Sequence, residues 1–152
     1  MQNKRMNDIK DRIKAHEGYR LEPYHCTEGH LTGGWGHRIL DGEEVPKSEE
    51  GWQNLFNNDF EKAFNGANLL IGEHLENTEW SELPEPKKHA ITGVLTEMCF
   101  QLGQAGVGKF KKMFTALGKC DFKEAAAQMR DSRWNKQTPA RCLELSGIIQ
   151  NL

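Results

Sequence analysis

Five large apolar residues, Trp52, Leu55, Phe56, Phe60 and Phe64, recur at the spacing of one helix face. A stripe of this kind must be covered by another layer, so it commits the chain to a packed helical core. Pro46 and Ser48 precede it, and Glu49 and Glu50 fall in its first turn, where the helix dipole favours negative charge. The helix continues past Leu70, long enough to act as a strut between two lobes, and Ser81–Pro86 breaks the pattern. A second, broader apolar face follows: Ala90, Ile91, Val94, Leu95, Met98, Cys99 and Leu102. That width predicts a central buried helix. A chain of 152 residues is large enough to form such a core without disulfide staples, burying roughly 68–70% of its unfolded surface.

The remaining segments read in the same way. Met6, Ile9 and Ile13 predict an amphipathic helix over about 5–16, stopped by Gly18. From Tyr19 to Ile39 glycines cluster among strand-prone residues, Tyr24, Leu31, Thr32 and Trp35, and predict a small antiparallel sheet. The run GQAGVGKF reads as a turn before a helix over 110–117. Asp121 is placed to cap a helix near 122–130, and Thr138-Pro139 opens a last one. The sum is a helix-rich α+β protein: one domain over 1–152, with a sheet-containing part at about 17–65 and a helical part at about 66–152. The helix over 5–16 is expected to pack with the helical part.

Charge is uneven. Residues 1–83 carry 9 basic against 16 acidic side chains, and residues 84–152 carry 11 against 6. A basic second half can attract a polyanion, or simply present solvated helix faces. Cys26, Cys99, Cys120 and Cys142 form no C-x-x-C pair, which argues against a zinc site or a disulfide framework. The N-terminus is charged and lacks an apolar core of the signal-peptide type, and no 18-residue apolar run offers a membrane span. The expectation is a protein made in the cytosol with reduced thiols.

One stretch does not read as scaffold. Glu17, Cys26 and Thr32 follow one another as E-x8-C-x5-T, and Thr32 opens T-x-G-x-G-H, ending at His37. Glycines this dense permit a tight turn or close approach of backbone to another group. With FQLGQAGVGKF at 100–110 and SRWNKQTPAR at 132–141, these blocks resemble, in order, the phage-type lysozymes of glycoside hydrolase family 24. The resemblance implies two lobes joined by a long helix with a cleft between them. It implies a muramidase that cuts the β-1,4 link between N-acetylmuramic acid and N-acetylglucosamine. By position, Glu17 is implied as the general acid, Thr32 as a holder of the attacking water, and Cys26 as standing where the family usually has Asp. Arg141 is implied as the partner of the catalytic Glu, Phe100, Gln101 and Gln128 as substrate contacts, and His37 with Asp59 as a pair tying sheet to helix.

The chemistry asks for such a set. Glycoside hydrolysis needs an acid on one side of the bond and a base or nucleophile on the other. A thiol is a weak base near neutral pH, but a thiolate can orient water or attack directly. Inversion through a water held by Cys26 and Thr32 is the expected course. The expected partner is bacterial peptidoglycan, reached after a holin opens the inner membrane and so causing host lysis. No nucleic acid, stable membrane association, cofactor, metal or second copy is expected. A non-catalytic wall-binding or inhibitory module, and a toxin passed between bacteria, remain open alternatives.

Overall fold

The computed structural model describes residues 2–152, with side chains from Lys4 onward. The chain divides into two compact units, Met1–Lys62 and Ala63–Leu152.

In the first unit, α1 (Gln2–Glu17) ends at Gly18, whose φ of +71° suits glycine and whose N–H bonds back to the Lys14 carbonyl at 2.9 Å. This helix groups with the sheet rather than with the helical residues that follow. The sheet runs β1 (Arg20–His25), β2 (Leu31–Gly34) and β3 (His37–Arg38), antiparallel and in chain order. Tyr24 pairs with Thr32, and Gly33 with His37. The β1–β2 register slips between Arg20 and Tyr24, the stretch that holds Pro23, which has no N–H for a ladder. After a loop, the hydroxyl of Ser48 accepts from the Gly51 N–H and opens α2 (Glu49–His74), whose first half belongs to this unit.

Ile13, Trp52, Phe56 and Phe60 are the buried apolar side chains among the described residues here. Polar ties supplement them. The Trp52 indole N–H donates to the Leu21 carbonyl at 2.9 Å, and the Lys14 ammonium lies 4.2 Å from the Trp35 ring centroid and 4.9 Å from that of Phe56.

The second unit is helical. After the end of α2 come a 3-10 turn (Glu79–Glu82), α3 (Glu85–Gly108), α4 (Lys111–Gly118), α5 (Phe122–Arg130), α6 (Arg133–Gln137) and α7 (Pro139–Gln150). Asp121 caps α5 by accepting from the Glu124 N–H, as its position predicts. Pro139 starts α7, but the Thr138 hydroxyl donates to the Trp134 carbonyl instead of capping α7. Pro86, read in the sequence as part of the break, lies in the first turn of α3, where a missing N–H is harmless.

The stretch GQAGVGKF departs from its reading as a turn. Inside α3, Gly103 leaves helical geometry, with φ +79° and ψ +157°, residues 104–108 resume the helix, and Phe110, with ψ +57°, separates it from α4. Fully buried Val107 anchors that short piece, so packing overrides the low helix propensity of its glycines. The five-residue α6 is too short to leave a periodicity in the sequence.

Candidate active site

The glycines of T-x-G-x-G-H make room for two side chains. A Cβ on Gly33 would collide with the Trp52 ring, and one on Gly34 would sit 2.6 Å from its Cε3. The indole thus lies on bare strand backbone. Gly36, with φ +72°, meets the Glu17 carboxylate in the same way: a Cβ there would strike its Oε1. Glu17 is half-buried at the last position of α1, and the turn after β2 brings glycine backbone against its acid group.

Cys26 opens the tight β1–β2 connection. Its N–H donates to the His30 carbonyl at 2.9 Å and its carbonyl accepts from the Gly29 N–H at 2.8 Å. The thiol lies below its ordinary pKa. The main cause is the Glu28 backbone N–H, aided by the His30 N–H and the Thr32 hydroxyl. Desolvation and the Glu28 carboxylate oppose them. Donors of this kind favour the charged form of the sulfur. Thr32 is 7% exposed on β2, and its hydroxyl, which has one hydrogen to give, also faces the His30 carbonyl at 3.0 Å, so the carbonyl and the sulfur share one donor. Cys26 and Thr32 are therefore brought together. The other thiols go the opposite way: burial pushes Cys99 up to about 12 and raises Cys120 and Cys142.

His37 lies between two carboxylates. Its Nδ1 is 2.6 Å from Asp59 Oδ2, and its Nε2 is 2.9 Å from Glu43 Oε2. The hydrogen bond to Asp59, with Asp59 and Glu43 charge behind it, raises the imidazole's pKa despite partial burial. Burial works against the charge of Glu43, yet the Leu40 N–H and His37 together hold its carboxyl below the ordinary value. Glu43 has no helical or strand periodicity around it, so nothing in the sequence pointed to its part in this cluster.

The other residues named from sequence lie in the second unit. Arg141 is 7% exposed, and its Nε donates to Glu97 Oε2 at 2.7 Å; Glu97 is fully buried in α3. A lone acid inside the apolar run from Ile91 to Cys99 was the available signal for this pair, since a buried charge requires a partner. Gln101 bridges within the unit: its Oε1 accepts from the Trp134 indole at 2.8 Å and its Nε2 donates to the Thr138 hydroxyl at 3.2 Å. Phe100 is half-buried against the helical core. Gln128 is half-buried and donates to Glu124 Oε1 at 2.7 Å. Among the described residues no group of three or more His, Cys, Asp or Glu side chains is arranged to hold a metal ion, and no helix is long and apolar enough to cross a membrane.

Known proteins match most of the chain's length. A family model described as phage lysozyme covers residues 14–150. "Probable T4-type lysozyme 2" of Dictyostelium discoideum is 32% identical, over 95% of both chains. "Probable T4-type lysozyme 1" of the same organism is 28% identical over the same shares. "Pre-baseplate central spike protein Gp5" of Enterobacteria phage T4 is 29% identical over 93% of this chain but 27% of its own length.

The helix-rich α+β fold and these matches define a muramidase-like glycoside hydrolase. The chain belongs to the phage lysozyme family.

Proposed function

We propose that this chain is an endolysin-type muramidase. It hydrolyses the β-1,4 bond between N-acetylmuramic acid and N-acetylglucosamine in bacterial peptidoglycan. Glu17 protonates the leaving glycosidic oxygen. Cys26, as thiolate, and Thr32 hold the water that attacks the opposite face, and the anomeric configuration inverts. Arg141 supports the charge balance of the acid, while Phe100, Gln101 and Gln128 contact the glycan. The observation that supports this reading is the family match over residues 14–150, which takes in Glu17, Cys26 and Thr32, together with the close approach of the Gly36 backbone to the Glu17 carboxylate. Release into the wall compartment through a holin, followed by host lysis, completes the reading.

Clearing of wall suspensions by parent and Glu17→Gln protein tests it. Loss of a positioned general acid lowers turnover by about 10²–10⁴-fold. Wall binding without clearing, unaltered by the substitution, would favour a non-catalytic module. Detection of a glycosyl-thioether on Cys26 would replace the inverting course with a nucleophilic one.

A further inference from the structure

The first unit, Met1–Lys62, contains an irregular sheet braced by one side chain. Arg20 pairs with Gly34 and Tyr24 with Thr32, so Leu21, Glu22 and Pro23 of β1 stand opposite the single residue Gly33 of β2. Such a bulge interrupts the ladder and bends its strand, and bulges recur beside active sites, where they re-aim side chains. Gly33 and Gly34 have no side chain to brace it. Trp52 fills that place from α2. Its six-membered ring lies where a Cβ on Gly33 would be, and its Cε3 is 2.6 Å from the Cβ position of Gly34. Its indole N–H donates to the Leu21 carbonyl, inside the bulge, at 2.9 Å. Trp52 is 1% exposed, and its ring centroid is 6.4 Å from that of His37 on β3. Its own backbone is fixed in the first turn of α2, where the Trp52 N–H donates to the Ser48 carbonyl at 3.2 Å.

The two glycines against the ring have functional neighbours. Thr32 precedes them, and Gly36, whose backbone faces the Glu17 carboxylate, lies two residues beyond. We propose that Trp52 is a positioning residue for the hydrolysis: the indole sets the place of β2, and through it the places of Thr32 and Gly36. The inference rests on the muramidase reading for the roles of Thr32 and Glu17, and adds to it a residue that acts through the strand. Interiors are close-packed, and bare glycine backbone has no rotamer with which to absorb a change. A side chain of another shape at position 52 therefore moves the strand itself. A displacement of about 1 Å can cost a reaction about 10²-fold in rate. A tryptophan that only filled space would cost stability and leave the folded enzyme's rate alone.

The test uses the full chain with Trp52→Leu, which keeps an apolar side chain but neither the flat ring nor the N–H, and with Trp52→Phe, which keeps a ring. Leu145→Ala, a core variant of the other unit, is the control, and all are assayed at a temperature where dichroism shows every chain folded. On soluble wall strands Trp52→Leu should lower kcat by about 10²-fold with KM within about threefold of the parent, and Trp52→Phe should recover about tenfold of that loss. Leu145→Ala should keep the parent kcat. With Trp52→Leu in place, Thr32→Ala should cost little further rate, because the group it removes is already displaced. A parental kcat in folded Trp52→Leu, or losses that multiply in the double variant, overturns the proposal. If Trp52→Leu does not fold, Trp52→Phe carries the same two measurements.

A further measurement needs no turnover. Residual dipolar couplings of the Thr32 and Gly36 N–H bonds report their orientation. They should change in both Trp52 variants and stay as in the parent in Leu145→Ala; unchanged couplings in the Trp52 variants overturn the proposal. Should Glu17→Gln protein clear walls at the parent rate, the muramidase reading falls, and these couplings still decide whether Trp52 places the strand.

Discussion

In Ala63–Leu152, twenty-two buried apolar side chains form one contiguous core, from Ala63 and Leu70 through Met98 and Leu117 to Leu145 and Ile149. In Met1–Lys62, four are buried among the described residues: Ile13, Trp52, Phe56 and Phe60. The smaller unit makes up the difference with directional ties. An indole hydrogen-bonded to a carbonyl lies across glycine backbone, a lysine lies over two rings, and a histidine lies between two carboxylates. Burial is non-directional and tolerant, whereas close approach and charge pairing hold only at fixed geometry. The unit that carries Glu17, Cys26 and Thr32 is the one built by fixed geometry, which suits groups that must hold position.

The comparison breaks if substitutions in the two units behave alike. Gly36→Ala is expected to have the largest effect, because the added methyl strikes the Glu17 carboxylate and φ is positive. Wall clearing should fall by about 10²-fold or more, the scale on which a displaced catalytic group costs rate. Next, Leu145→Ala in the helical unit should lose about 2–5 kcal/mol in urea unfolding, since that side chain is fully buried. If kcat at 25 °C fell as far as in Gly36→Ala, the proposed division between scaffold and site would fail. Gly33→Ala should lose about 1–3 kcal/mol by forcing Trp52 off the strand, with the loss of indole order visible in near-UV dichroism.

His37→Asn sharpens the contrast through pH. A raised folded-state pKa means that the imidazolium contributes fully below its unfolded value of about 6.5 and is lost as pH climbs through the raised value. The lowered Glu43 contributes above its ordinary value, about 4.5, and is lost as pH falls through the depressed one. The parent should therefore exceed the variant by about 1–3 kcal/mol on a plateau between roughly pH 4.5 and 6.5. The gap should close at alkaline pH. A gap independent of pH would show that His37 acts by shape alone. Smallest of all, iodoacetamide at pH 7.5 should modify Cys26 before Cys99, Cys120 or Cys142, read by peptide mass.

Much of the helical scaffold was legible because burial writes a period into the sequence. The stripe from Trp52 to Phe64 and the face from Ala90 to Leu102 each matched a helix. Caps were legible where the side chain acts locally, as with Asp121, and not where a neighbour competes, as with Thr138. The glycines of the sheet pointed to close approach, but their partners, Trp52 and Glu17, lie far off in sequence and left no local mark. Glu43 left no mark because it lies in an aperiodic loop, whereas Glu97 showed as an acid in an apolar run but its partner, Arg141, lies 44 residues on. The segment after Gly103 misled because three glycines in six residues resemble a turn when the buried valine between them cannot be seen.

Gly103 itself has a consequence of handedness. An added methyl would meet no atom within 4 Å, so the site excludes larger residues through its backbone angles and not through crowding. An L-alanine there would oppose the break in the helix. A D-alanine, introduced by chemical ligation, suits a positive φ and would restrict the unfolded chain, so the mirror-image residue should raise the melting temperature where the natural one lowers it.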